Sequence, residues 1–536
     1  MKLTKEQQTQ QAYDLFNEFR EAYMGEWERL DKCERIYHGE HWYGIPERDK
    51  NEPRPVTPVI QSTIESVRAD LMDQSPDAII IADDPKYDSI AELLTAVVRE
   101  NHTRLNYNAE YANLAHDLLV GGYMVQETGY DATLNNGLGG AFIRHVDTRN
   151  IMLDPCATQI GDCRAVFKFT PYPREWFLQH YPTQAQEMEA DTFTVRRLRD
   201  EVLLAQDHDS ILLIECWRRI YDKARERYTV HMEKYAGHRL LEDSRNVKSE
   251  GYFCHGEYPF IITALFPRKG SCLGYGFVDM FETQQRFSDK LDQIVLKNAL
   301  MASHNKLLIT GASGFDVDDL RDWSKEVHKG ENLNGVTWFP TAPLPAYMIQ
   351  YIRSIREGIK EESGANDFSR GTTMGGVTAA AAIAALQEMS SKRSRMAARA
   401  MHGAFEAAVR QEIEIEREFT VFPRGVRTAD QSRQFSSDML TVKTRLGNEL
   451  PLEFSISVKA QRENRFSVAA HNEAIIKLVQ TGMVTPDVGL ELMLFDGKAQ
   501  AVTLMRKKRD EQLAQQEHST PIAQREGARH GISAGK

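Results

Sequence analysis

One stretch limits what this chain can fold into more than any other: from Thr378 to Phe419 there is no proline and a single glycine, and the run opens on consecutive alanines. Alanine is the strongest helix former and proline the strongest breaker, so the stretch reads as one unbroken helix. At ~1.5 Å per residue it would reach roughly 60 Å. A helix of that length does not fit inside one small domain. The chain must be a large composite subunit, as its 536 residues and 41% hydrophobic content allow.

Two further helices lead up to it. After Gly274-Tyr275-Gly276, a helix runs to about His304 with Phe277, Phe281, Phe287, Leu291, Ile294 and Val295 on one side. From Phe281 it would span about 36 Å, long enough to line or cross something. A compact segment from Lys306 to Pro340 follows, with a strand at Leu307 to Thr310 and a short helix beginning near Asp318. Asp316, Asp318 and Asp319 suit the positive end of that short helix. Met348, Ile352, Ile355 and Ile359 then repeat at helical spacing, from just after Pro345 to near Gly364. Asn366 to Gly376, rich in Gly, Ser and Thr, continues neither helix cheaply and is expected to be a loop.

The N-terminal half reads as mixed α+β. Phe16, Phe19, Tyr23, Trp27, Leu30 and Tyr37 stack on one face of a helix from Tyr13 to Tyr37, and Pro53, Pro55 and Pro58 then keep the chain extended. Helices are expected at Val59 to Met72, Ser89 to about Leu105 and Ala109 to Val120. Short β-type runs follow between Tyr123 and Phe266, interrupted by a polar surface stretch from Gln184 to Asp209. Beyond the long helix, Leu440 to Leu446 and Leu452 to Val458 suggest a hairpin around Gly447-Asn448. Helices at Ser467 to Gln480, Asp487 to Phe495 and Gln500 to about Gln516 come next, and the polar tail from Glu517 is expected to be disordered.

Charge and motifs remove several functions. A formal net charge of -11 argues against a tight nucleic-acid binder, which gains affinity by neutralising phosphates, but not against passage of DNA through a conduit. The six cysteines are scattered and read as reduced thiols, and no apolar run reaches the ~18 residues of a membrane span. The N-terminus lacks a signal peptide's apolar region, which points to a protein made in a cytoplasm. No G-x-x-x-x-G-K-[ST] exists to cradle a nucleotide. Leu308 to Phe315 imitates the strand-to-helix turn of short-chain, NAD-dependent dehydrogenases, but Val317 stands where a third glycine is needed, aspartates crowd the phosphate end, and there is no Tyr-x-x-x-Lys. His38-Gly39-Glu40-His41 matches neither zinc helix motif and is better read as an aromatic-rich helix end. No catalytic, metal or cofactor residue is assigned.

The order helix, compact insert, helix, glycine-rich loop, very long helix resembles the portal proteins (head-tail connectors) of tailed double-stranded DNA bacteriophages. Three local features are similar as well: the Trp27 helix closing in Tyr37-His38-Gly39-Glu40-His41-Trp42, the Gly274-Tyr275-Gly276 turn with Gln284, Gln285 and Asn298 downstream, and Gly375-Gly376-Val377-Thr378-Ala379-Ala380 leading through Ile383 and Leu386 to Gln387-Glu388. The resemblance implies an α+β portal fold assembled as a ring, commonly a dodecamer. Its parts would be a mixed wing over 1–276, stem helices over 277–304 and 345–364, and a small α/β clip over 305–344. A tunnel loop over 365–377, a long helix with wing return strands over 378–460, a helical crown over 461–516 and a disordered tail over 517–536 would complete it.

On that reading Phe281, Phe287, Leu291, Ile294, Ile352, Ile355 and Ile359 pack the stem between subunits. Asp367, Phe368, Ser369, Arg370, Thr372, Thr373 and Met374 belong to the tunnel loop that meets DNA, and Arg506, Lys507, Lys508 and Arg509 form a basic crown patch. The resemblance further implies sequence-independent passage of double-stranded DNA, and contacts with the terminase large subunit, head-tail adaptor and tail proteins, and major capsid and scaffold proteins. The place would be the portal vertex of the virion, after a stay in the host cytoplasm, with no membrane partner. A minor capsid or scaffold protein without a channel is the alternative.

Overall fold

The computed structural model describes residues 4–47, 52–73, 75–188, 191, 194, 210–223, 225–248, 250–303, 307–322, 324–338, 344–364, 392–428, 432–443, 449–460 and 465–493. The chain divides into two compact units, 1–426 with 434–459, and 427–433 with 460–536.

The first unit opens on α1 (Lys5–Tyr37), a full two turns earlier than the aromatic face predicts. The cause is a capping box: Gln7 N donates to Thr4 Oγ1 at 3.3 Å, and Thr4 N donates to Gln7 Oε1 at 3.1 Å. All six aromatic and aliphatic positions read from the sequence are buried. After α2 (Val59–Met72) comes β1 (Pro76–Ala82), a strand that the sequence reading omits although Ile79-Ile80-Ile81 announces it. Helices α3 (Asp88–Arg104) and α4 (Tyr107–Val120) lead into a three-stranded antiparallel sheet of β2 (Tyr123–Asp131), β3 (Gly140–Val146) and, from further along, β9 (Phe260–Ala264).

Between β3 and β9 lies an antiparallel meander of five strands: β4 (Ile151–Leu153), β5 (Ala165–Pro173), β6 (Ser210–Asp222), β7 (Arg227–Ala236) and β8 (Arg239–Asp243). The aromatic face of α1 packs on it edge to face. Phe16 and Phe19 lie 5.4 and 5.3 Å from Phe167, and Trp27 lies 6.0 Å from Phe169. Leu153 N donates to Tyr23 Oη at 2.9 Å, and burial pushes that phenol well above its ordinary pKa.

Next come α5 (Phe277–Ser303), a two-stranded antiparallel sheet of β10 (Leu307–Ile309) and β11 (Val336–Trp338), and α6 (Tyr347–Ser363). A five-residue helix, Val317–Arg321, sits inside this insert, and Asp316 caps it by accepting from Asp318 N at 3.1 Å. The dehydrogenase-like turn after Leu308 therefore belongs to an antiparallel pair, not to a parallel strand-helix-strand unit.

Of the long run 378–419, the described part is α7 (Lys392–Phe419). It crosses the three-stranded sheet, and its buried acids are fully engaged. Asn101 Nδ2 donates to Glu412 Oε1 at 2.9 Å and Glu416 Oε1 at 2.8 Å, His102 Nε2 lies 2.9 Å from Glu412, and Arg424 donates to Glu416 at 2.9 Å. The hairpin that follows corrects the sequence reading. β12 (Thr441–Lys443) pairs with β13 (Glu449–Pro451), whereas β14 (Phe454–Ala460) leaves to pair with β1. The open edge of β1 offers Phe454, Ile456 and Val458 a place against the main core, which a local hairpin partner could not.

The second unit is described as α8 (Arg465–Gln480) and α9 (Pro486–Leu492). Gly489 lets them close on each other, since a Cβ there would lie 2.4 Å from Val479 Cγ2.

Candidate functional site

The feature that stands out from this scaffold is the pair α5 and α6. Contacts between the start of one and the end of the other make the pair antiparallel: Gln284 Nε2 donates to Glu362 at 3.3 Å, and Arg356 Nε donates to Ser288 Oγ at 3.1 Å. The lower part is rooted in the core, where Phe281 and Ile359 join the cluster built by α2, α3, α4 and α7.

Glycine makes the root possible. The turn Gly274 to Gly276 lies directly on the end of α4, and a Cβ on Gly122, which has φ +90°, would stand 2.2 Å from the carbonyl carbon of Tyr275. One on Gly276 would stand 2.4 Å from Val120 O. Backbone thus meets backbone with no room for a side chain. The start of α5 is then fixed electrostatically. Asp279 accepts from Gly276 N at 2.9 Å and pairs with Arg29, which also holds Glu26 at 2.6 Å and donates to Gly121 O at 2.7 Å. Burial disfavours the Arg29 charge, but Glu26 and Asp279 outweigh it and raise its pKa. Burial, with Asp279 alongside, likewise pushes the Cys33 thiol far up.

About two to four turns further along α5, the helices meet the segment before α2. Thr57 touches both of them. Its N donates to Asp289 Oδ1 at 3.3 Å, its carbonyl accepts from Gln285 Nε2 at 2.7 Å, and its hydroxyl bridges Asp292 Oδ2 and Arg356 Nη2, each at 3.1 Å. Arg356 pairs with Asp292 as well. His41 reaches the same place from the end of α1, with Nδ1 2.6 Å from Asp289 Oδ2 and Nε2 3.1 Å from Ile36 O. Gln285, Ser288, Asp289 and His41 are all buried. The histidine of the His38-Gly39-Glu40-His41 motif is therefore a structural partner of α5. Among the described residues no group of three or more metal-ligating side chains forms.

Past Asp292 the environment changes. Ile294, Leu296, Leu300 and Met301 on α5, and Tyr347, Ile349 and Tyr351 on α6, are exposed on the subunit, as are Leu333 and Trp338 of the insert. The seven residues expected as one stem stripe accordingly divide. Phe281, Ile352 and Ile359 are buried within their own subunit. Leu291 and Ile355 are half-buried, and Phe287 and Ile294 are 55% and 47% exposed. The reason is the root itself: α2 and α4 already cover the faces that carry Phe281 and Ile359.

The expected tunnel-loop residues Asp367, Phe368, Ser369, Arg370, Thr372, Thr373 and Met374 lie outside the described residues, as do Arg506, Lys507, Lys508 and Arg509 of the basic patch. Sequence reasoning missed Thr57, Arg29 and Arg356, which meet partners as far off as Asp279 for Arg29, 250 positions away, and Arg356 for Thr57, 299 positions away. A weak signal existed for Thr57, a lone hydroxyl between prolines at 55 and 58.

No curated protein matches the chain. A family model described as Phage P22-like portal protein matches residues 13–255, the part from α1 through the five-stranded meander that ends before α5. By that match, over residues 13–255, the chain's kinship with the portal proteins of tailed phages is shown.

Proposed function

We propose that the chain is the subunit of the ring-shaped channel at one capsid vertex, through which double-stranded DNA is packaged and ejected, and on which the terminase large subunit and then head-tail adaptor and tail proteins dock. The subunit acts by structure, not by catalysis. The observation that carries the reading is the α5–α6 pair, fastened at its root and presenting uncovered apolar side chains beyond it. A monomer gains nothing from such a surface, whereas identical copies arranged head to tail around an axis cover it. A closed ring, a dodecamer in the proposed assembly, then sets the insert between the two helices at one end of the pore. The overall negative charge suits a wall that must let DNA slide. Residues 366–376 are proposed to reach into the pore and 506–509 to face packaged DNA, and major capsid and scaffold proteins are the proposed neighbours of the wing.

Electron microscopy of the purified chain tests this. Rings with an axial opening wide enough for duplex DNA are the expected result. Monomers at high concentration, or closed particles without a hole, would instead favour a minor capsid or scaffold role.

A further inference from the structure

We infer that Thr57 and His41 are positioning residues that set how the α5–α6 pair leaves the core. The inference stands independently of the function proposed above. Phe281 and Ile359 anchor the pair in the core cluster, and the next buried residues along α5 are polar: Gln285, Ser288 and Asp289. The angle at which the exposed parts emerge is therefore fixed by hydrogen bonds, which are directional, more than by packing, which is not.

Thr57 serves both helices with one residue. Its hydroxyl has one proton, given to Asp292, and a lone pair, taken by Arg356, while its N and O engage Asp289 and Gln285. Every polar group it owns is thus committed to α5 or α6. His41 secures Asp289 from the opposite side. The two neighbours of its ring are the Asp289 carboxylate and the Ile36 carbonyl. The groups that face this point are Asp289 and Asp292 from α5, Arg356 from α6 and the His41 ring from the end of α1. With the two fastenings in place, α5 and α6 keep one register; with Thr57 silenced, Arg356 and Asp292 retain each other but lose their link to the rest of the subunit.

Hydrogen exchange read by mass spectrometry on the full chain, comparing Thr57→Val with Thr57→Ser, tests the assignment. Valine keeps the shape and removes the hydroxyl; serine keeps the hydroxyl. The expected result is that T57V speeds exchange of peptides covering 285–296 and 352–360 by about tenfold, leaves 151–243 unchanged, and that T57S behaves as wild type. His41→Gln should speed the 285–296 peptides alone. Equal acceleration of all peptides, or none in the helix pair, would overturn the inference. Should T57V not fold, Thr57→Ala, which also lacks the hydroxyl but has no added methyl to accommodate, is read in the same way. Imaging separates the two ideas: if no variant nor the wild type forms rings but the exchange pattern holds, the channel reading fails and the positioning role stands.

Discussion

Gly122 and Gly25 are both glycines near helices, yet their surroundings give opposite expectations. At Gly122 a methyl group would strike the Tyr275 backbone, and the positive φ disfavours any other residue, so Gly122→Ala should cost more than about 3 kcal/mol and lower the yield of folded chain. Gly25 sits in α1 with nothing within 4 Å of its virtual Cβ. Gly25→Ala should therefore stabilise by about 0.5–1 kcal/mol, read as a higher melting temperature. Histidine 116 gives a pH-dependent counterpart. Burial works against its charge, but Glu34 at 2.9 Å outweighs burial and raises its pKa. The pair thus contributes fully below the unfolded value of ~6.5 and fades as pH rises through the raised folded value. The stability gap between wild type and His116→Gln should be up to about 1 kcal/mol near pH ~5.5 and shrink towards pH ~8.5 in denaturant titrations.

Among elements, the insert between α5 and α6 is the most separable. Among the described residues its two strands pair only with each other, Leu308, Val327, Leu333 and Trp338 are exposed, and the contacts that join the helices lie at their far ends. Replacing 307–338 by a short Gly/Ser turn should change unfolding free energy by no more than about 1 kcal/mol. A calorimetric scan checks this, and a broad collapse of the transition would mean that the insert supports the root. Elements also show where local reading stops. The cap at Asp316 was read in sequence, and the capping box at Thr4 and Gln7 and the strand at Ile79 to Ile81, though missed, were legible there, because each depends on neighbours within a few positions. The partner of Phe454 to Val458 was not, since a strand's alternation names its buried face but not the edge that it joins.

For the whole molecule, Phe287 and Ile294 stand seven residues apart on one face of α5 and are exposed. The double change Phe287→Asp with Ile294→Asp should leave the unfolding free energy of the subunit within about 0.5 kcal/mol of wild type while preventing assembly of the proposed ring, followed by sedimentation. Buried Phe281 gives the control: Phe281→Ala should cost about 3–5 kcal/mol of subunit stability. Had Phe287 and Ile294 been covered as Phe281 is, the apolar repeat would describe an ordinary core helix.

The chain's own order of residues determined that α1 has an aromatic face, that two amphipathic helices bracket a compact insert, and that an alanine-rich helix without proline follows them, because helical period and breaker residues act over a few positions. Folding alone decided which parts of the bracketing helices are covered, that β1 takes β14, and that Thr57, His41, Arg29 and Arg356 converge on one root. Those outcomes depend on side chains far apart in sequence competing for the same hydrogen-bond partners and the same apolar surface, and a pattern along the chain carries no record of who meets whom.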